Sequence, residues 1–283
     1  MITIRVRREA FRRPERRRFP LLPEISQKDH FLLYWEQPHI IQYCKNMQEE
    51  ESRKIINKVK ADYNLISREW DLSRNRPSQI KLNLIDTVEE DTEVLDIGCG
   101  NGVMFPFILD KGAYYFGLDI AENMIDIARK RYDEDIARGK ARFTVGEATE
   151  LPYKDSEFDF VICFAVLHHL PSVEFRKRFF EEIKRVLRPN GRVKITVWNL
   201  FNEWTKIRFD IGAQLEGRTS GDVTIPWKAT HGQFVNRYVH QFSEEELRTL
   251  AEGAGFSDIR IGYFTRNGEP KDNAEEMVLE MRG

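Results

Sequence analysis

The stretch VLDIGCGNG, Val94–Gly102, decides the fold. The apolar run EVLDI (Glu93–Ile97) reads as a strand, and Gly98, Gly100 and Gly102 follow it at once. A strand that ends in such a turn and enters a helix lets a ligand lie against bare backbone at the helix N-terminus. One acid, Asp96, stands just before the first glycine. A carboxylate there repels a pyrophosphate and suits an ammonium group. A nicotinamide dinucleotide site would instead read GxGxxG with no acid in the turn.

Moving outward, strands and helices alternate. YYFGLD (Tyr114–Asp119) reads as a second strand, ARFTVGEA (Ala141–Ala148) as a third, FDFVICFA (Phe158–Ala165) as a fourth and RVKITVWN (Arg192–Asn199) as a fifth. The fourth is apolar on both faces, as a central parallel strand must be. A helix precedes the fifth: Ser172 caps it, Phe175, Phe179, Ile183 and Val186 line one face, and Pro189-Asn190-Gly191 ends it. Ser243 with Glu246 forms a capping box for a helix carrying Leu247, Leu250 and Ala254, stopped at Gly255. Ile259, Ile261 and Tyr263 then alternate as in a strand, and Glu276–Met281 is a last apolar run. Such alternation implies a mostly parallel sheet with helices on both faces. Upstream, Phe31 to about Tyr63 has helical spacing, and Arg74–Ser78 breaks it.

Two further acids fall at strand tips. Asp119 lies 23 positions after Asp96, and its two oxygens suit both hydroxyls of a ribose. Glu147, after the third strand, suits an adenine amino group. Plain turn chemistry would also account for the glycines, and a helix N-cap for Asp119. An adenosine bearing a cationic amino acid satisfies all three acids together.

Composition bounds the rest. Of 283 residues, 41% are hydrophobic and 32% charged, enough for a core and unlike a disordered chain. No apolar run approaches the roughly 20 residues of a membrane span. The three cysteines (Cys44, Cys99, Cys163) form no CxxC pair, so no disulfide framework or metal site is expected, and a reducing, cytoplasmic setting fits. Net charge is −2, yet residues 1–20 carry Arg5, Arg7, Arg8, Arg12, Arg13, Arg16, Arg17 and Arg18 against Glu9 and Glu15. That arm is +6 and leaves −8 to the remainder. It suits phosphates or is simply a solvated tail. Ile2, Ile4 and Val6 alternate with polar residues, as a short strand would.

In this order, LDIGCGNG, GLDIAENM, GEATELP, FDFVICFAVLHHLP and LRPNGRVKITVW resemble the class I S-adenosylmethionine-dependent methyltransferases, from about Tyr63 to the C-terminus. The resemblance implies an α/β, Rossmann-like, doubly wound and mostly parallel seven-stranded sheet with a helical N-terminal extension. It implies a division at residues 1–60 and 61–283, with the insertion at about 200–240 as a substrate lid. It places Asp96, Gly98 and Gly100 at the methionine end of S-adenosyl-L-methionine and Asp119, Ile120 and Met124 at the ribose. Glu147 and Ala148 flank the adenine, and Phe164 and Ala165 close the methionine side.

A narrower resemblance lies outside that core. YNLISREWDLSRNRP (Tyr63–Pro77), IPW (Ile225–Trp227) and RYVHQFSEEEL (Arg237–Leu247) are similar to segments of the tRNA wobble-uridine carboxymethyl methyltransferases. Ser73 stands for their Thr, Ser78 for a Trp, Val239 for a second Tyr and Leu170 for the Trp after the paired histidines. The acceptor implied is a carboxylate, already ionised at neutral pH, so no general base is needed. Arg74, Arg237 and His240 would hold it, Trp227 or Tyr238 would stack on the base, and the arginine arm would grip tRNA. The similar eukaryotic enzymes work with a small zinc-binding activator subunit. An ion pair for Arg74, a core role for Trp227 and a strand-end hydrogen bond for His240 are equally open.

His168 and His169 are adjacent and lack the spacing of a zinc helix. Either one acts as a base or both pack. Two other readings share these motifs: a small-molecule methyltransferase of the quinone or natural-product type, and a non-catalytic subunit of the same fold.

Overall fold

The computed structural model describes residues 38–216, 221–228 and 234–283, with side chains from Gln48 onward. The arginine arm, the strand expected at Ile2–Val6, the beginning of the expected helix at Phe31 and the side chain of Cys44 lie outside the described residues. The chain divides into two units, residues 1–47 and 48–283, and the second carries every strand of the sheet.

Helix α1 runs over Pro38–Ser73, ten residues beyond the end expected from the sequence. It continues because Ile66 and Ser67 carry the buried stripe of Ile56 and Val59 onward. On the other side, i,i+4 pairs such as Lys54–Glu50 and Lys58–Asp62 line the solvated face. The helix passes through residue 60, where the sequence divides the chain, and Ile56 belongs to the core of the sheet. A short helix α2 (Gln79–Leu84) leads into β1 (Glu93–Ile97). Then come α3 (Phe105–Leu109), β2 (Tyr114–Asp119), α4 (Glu122–Arg131), α5 (Asp133–Ala137), β3 (Ala141–Val145) and β4 (Phe158–Phe164). Helix α6 (Val173–Val186) connects to β5 (Leu187–Trp198). Helix α9 (Glu244–Gly253), β8 (Ser257–Phe264) and β9 (Glu276–Arg282) end the chain.

The sheet has seven strands in the order β3-β2-β1-β4-β5-β9-β8. β1 to β5 pair in parallel, and β9 is antiparallel to both neighbours. Alternation along the central strands feeds two cores. Leu95, Ile97, Val161 and Cys163 enter one; Val94, Phe160, Ile162 and Phe164 enter the other.

Three expectations need correction. The third strand stops at Val145, because Gly146–Ala148 turns away toward the bridge of Glu147 with Glu150. Pro189-Asn190-Gly191 does not end α6; that helix ends where Leu187 becomes extended, and the tripeptide lies in the irregular start of β5. The register against β4 shifts there, which frees Pro189 from having to donate a ladder bond. The capping box is only half made. Ser243 accepts from the Glu246 amide at 3.1 Å, but the Glu246 carboxylate is committed elsewhere.

The insertion builds helices α7 (Glu203–Phe209) and α8 (Gly212–Leu215) and an antiparallel pair, β6 (Gly221–Lys228) with β7 (Phe234–Gln241). It has its own small core of Leu200, Ile211, Leu215, Val223, Ile225 and Val239. His169 ties it to the body at the Tyr238 carbonyl, and Gln241 joins its two ends by accepting from the Leu200 amide.

Candidate active site

The sheet order reverses between β1 and β4, and a cleft of about 240 Å³ opens at the C-terminal ends of these strands. Its floor is the glycine loop. Gly98 has φ +75°, and a Cβ there would collide with the Val166 side chain, so only glycine fits. At Gly100, by contrast, nothing lies within 4 Å of a Cβ position: φ is +54° and the backbone faces open space. Ala165, also lining the cleft, is held at φ +63°, a strained conformation for alanine.

Asp119 lies at the β2 tip in this cleft. One carboxylate oxygen accepts from the Gly100 amide at 2.9 Å and the other from the Ala121 amide at 2.8 Å. Burial raises its pKa, and these backbone donors oppose the rise. Each oxygen keeps a lone pair for a vicinal diol. Ile120, Met124, Glu147, Ala148 and Phe164 line the same space.

Glu147 is not bare. Both its oxygens take Arg53 Nη1 from α1, at 2.9 and 2.6 Å, and the Thr149 hydroxyl adds a bond at 3.3 Å. Helix α1 contributes further walls through Ile56, Val59, Tyr63 and Trp70. These residues, with Asn101 and Lys81, are cleft residues that sequence reading missed. The aromatic pair Tyr63 and Trp70, two turns apart on one face of a helix, was the available signal.

Asp96 departs from its expected place. It is 2% exposed, accepts from the Tyr115 hydroxyl at 2.6 Å, and does not line the cleft. Burial pushes its pKa up to about 7, against the pull of Tyr115 and Lys81. Alternation along β1 puts residue 96 on the sheet face of Val94, the face that Tyr115 also occupies.

The paired histidines part company. His168 is fully buried, its two ring nitrogens have no hydrogen-bond partner, and it packs 4.6 Å from the Trp198 ring. Burial drives its pKa well below the ordinary value, so it is a neutral packing residue rather than a base. His169 lines the cleft. Its Nδ1 donates to the Tyr238 carbonyl at 2.7 Å, so Nε2 accepts from the Tyr63 hydroxyl at 2.9 Å. Burial lowers its pKa to about 4. With both nitrogens occupied it anchors structure and is a poor base at neutral pH.

A second, smaller cleft of about 100 Å³ is continuous with the first, because Arg74, Trp198, Arg266 and Glu276 line both. Its remaining wall includes Trp204, Arg208, Phe209, Trp227 and Arg237. The expected acceptor residues Arg74, Trp227 and Arg237 therefore meet here. Arg237 lies 5.1 Å over the Trp198 ring, and Trp227 is 6.3 Å from Trp70. Arg74 has its pKa lowered by burial first, then by the positive charges of Arg266, Arg237 and Arg208. Four guanidinium groups so close together, against Glu275 and Glu276, leave the cleft with a positive balance. Glu276, Arg266 and Trp198 come from strand ends and a loop that carry no local sequence signal.

Tyr238 and His240 do not reach either cleft. The Tyr238 hydroxyl donates to Asp222 at 2.6 Å. His240 bridges Asp222, 2.6 Å from Nδ1, and Glu246, 3.0 Å from Nε2. This clamp ties the β6–β7 pair to α9. Burial lowers the His240 pKa, but the two carboxylates outweigh it and the net shift is upward despite the Arg176 charge nearby. The resulting stabilisation is complete below about pH 6.5, the unfolded value, and is lost as pH rises through the folded value. Melting temperature is expected to fall over that window, and His240→Gln is expected to flatten the fall. Equal slopes in both proteins would refute the clamp.

Residues 95–195 match the methyltransferase domain family. A putative methyltransferase of Encephalitozoon cuniculi is 29% identical over 203 residues, 71% of this chain and 87% of that protein. The tRNA (carboxymethyluridine(34)-5-O)-methyltransferase of Arabidopsis thaliana is 30% identical over 165 residues, 56% of this chain. The match spans only 38% of that relative's length. Among solved structures, an S-adenosylmethionine-dependent methyltransferase of Methanosarcina mazei superposes with a TM-score of 0.53 at 26% identity, over 71% of this chain and 96% of that one.

Proposed function

We propose, for a chain that is an S-adenosylmethionine-dependent methyltransferase, that the acceptor is a carboxylate on a modified wobble uridine of tRNA. The cofactor fits the first cleft on structural grounds: open backbone at Gly100, a two-oxygen acceptor at Asp119 and a second carboxylate at Glu147. When bound, it would supply a sulfonium methyl group, open to in-line attack at carbon with the thioether as leaving group. The protein's share is to position and desolvate.

One observation carries the acceptor assignment. Four arginines, Arg74, Arg208, Arg237 and Arg266, gather with Trp198, Trp204 and Trp227 in a cleft continuous with the cofactor cleft. Guanidinium forks hold a carboxylate and indole faces stack on a base. Arg74 and Arg266 stand at the junction, where a carboxylate would meet the methyl group. Neither histidine of the pair is a free base: His168 is sealed in the core and His169 is neutral and engaged. An acceptor that is already ionised needs none.

Incubation with labelled S-adenosylmethionine and total tRNA, followed by nucleoside mass spectrometry, tests the reading. A methyl ester of carboxymethyluridine is expected. Label confined to lipids or small metabolites would overturn it and favour a small-molecule acceptor.

The arm at residues 1–20 is proposed to hold the tRNA backbone. Its deletion is expected to weaken tRNA binding at moderate salt and to make the slope of log affinity against log salt shallower. Unchanged affinity and slope would remove RNA from the arm's role. A small zinc-binding activator subunit is proposed as a partner, tested by whether co-expression raises the yield of active enzyme.

A further inference from the structure

Glu147 lines the first cleft, whereas Arg53, its partner on α1, stands outside it. Arg53 spans two carboxylates. Its Nη1 donates to both oxygens of Glu147, at 2.9 and 2.6 Å, and its Nε donates to Glu49 at 3.3 Å. Glu49 in turn accepts from Arg178 on α6, at 3.2 Å from Nη1. Both guanidinium groups lie over the buried ring of Phe175, Arg53 at 5.1 Å and Arg178 at 4.6 Å. The Glu147 carboxylate is thus anchored through α1 to α6.

A carboxylate has about four lone-pair positions. Oε2 uses two of them, on Arg53 and on the Thr149 hydroxyl at 3.3 Å, and Oε1 uses one, on Arg53. Oε1 therefore keeps a position for a ligand. An ionised carboxylate accepts and cannot donate, so the group that suits it is an N–H, such as the exocyclic amine of adenine. The 6-carbonyl of hypoxanthine at the same place would meet Glu147 lone pair to lone pair. A glutamate free to turn would escape that clash, and would also lose rotamer freedom on taking up an amine. The bonds from Arg53 remove the freedom before any ligand arrives, which is preorganisation.

We propose that Arg53 is a positioning residue: it fixes Glu147 so that Oε1 accepts from the 6-amino group of the cofactor's adenine, and so sets the preference of the site for adenine over hypoxanthine. The inference rests on the reading of Glu147 as the acceptor at the purine. Arg53 lies outside the cleft, so its effect reaches the ligand only through Glu147.

The test uses the full chain, calorimetry and two probes, S-adenosylhomocysteine and S-inosylhomocysteine, which differ at the purine 6-position. The native protein is expected to prefer the first by about a hundredfold in Kd, as a site that hydrogen-bonds a specific group does. Arg53→Met keeps an apolar stem near Phe175 and removes the donors. Its preference is expected to fall about tenfold. Arg53→Lys keeps the charge, but one ammonium cannot span Glu49 and Glu147 as the guanidinium does. Its preference is expected to lie between the other two. A native preference retained in Arg53→Met would overturn the proposal, equal weakening of both probes included, because Arg53 would then only brace the helix. Should Arg53→Met fail to fold, Arg53→Lys decides alone, and a native ratio there refutes the proposal. A native protein that binds both probes equally would instead sink the placement of adenine at Glu147, and this inference with it.

Discussion

Asp119→Ala is expected to weaken S-adenosylmethionine binding by about a hundredfold or more, measured by calorimetry, with the fold retained. Three losses add up in that substitution. The ribose loses its acceptor carboxylate. The Gly100 and Ala121 amides, now bonded to Asp119 at 2.9 and 2.8 Å, lose their partner. The first turn of α4 and the glycine loop are then no longer tied to each other, so the floor of the cleft loosens as well. Asp119→Asn keeps one acceptor oxygen and is expected to fall between the two proteins. An affinity unchanged in Asp119→Ala would mean that the carboxylate is only a helix cap, and the nucleoside would have to lie elsewhere.

Arg74→Ala is expected to lower kcat/KM for tRNA by about a hundredfold, the worth of one charge-assisted fork to a carboxylate. Cofactor affinity is expected to hold. Arg74 is half-buried at the junction of the two clefts, packed 5.3 Å from the Trp70 ring, and its charge is crowded by Arg208, Arg237 and Arg266. On the proposed reading a bound carboxylate would relieve that crowding, so removing Arg74 would remove attraction at the acceptor's place. Arg74→Lys keeps the charge without the fork and is expected to recover only part of the loss. If instead cofactor affinity drops while the KM for tRNA stays put, Arg74 holds the amino-acid end of the cofactor and the acceptor assignment fails.

That the residues read from the sequence as one site would share one space was legible position by position, with Asp96 as the exception. Gly98, Gly100, Asp119, Ile120, Met124, Glu147, Ala148, Phe164 and Ala165 all line one cleft, as their positions at strand tips imply. Asp96 differs because it is still inside the strand: it satisfies Tyr115 rather than a ligand. Of the residues read as a second group, only some come together. Arg74, Trp227 and Arg237 meet, but Tyr238 and His240 serve the clamp on Asp222 and Glu246. Neighbours in a β-strand point to opposite faces, so a motif that runs through Arg237, Tyr238 and His240 cannot aim every residue at one pocket.

What the chain order by itself determined is local: the alternation of strand and helix, the glycine turn that demands positive φ, and the acids at two strand tips. These follow from side-chain periodicity and backbone sterics, which act over a few residues. What only the tertiary structure decided is which distant groups meet. Arg53 reaches Glu147, Tyr63 takes up His169, and Arg74, Arg237, Arg266 and Glu276 converge from a helix end, an inserted hairpin, a loop and the last strand. No local rule encodes those meetings, because they depend on how the sheet's twist and the insertion's packing bring separate ends of the chain to one place.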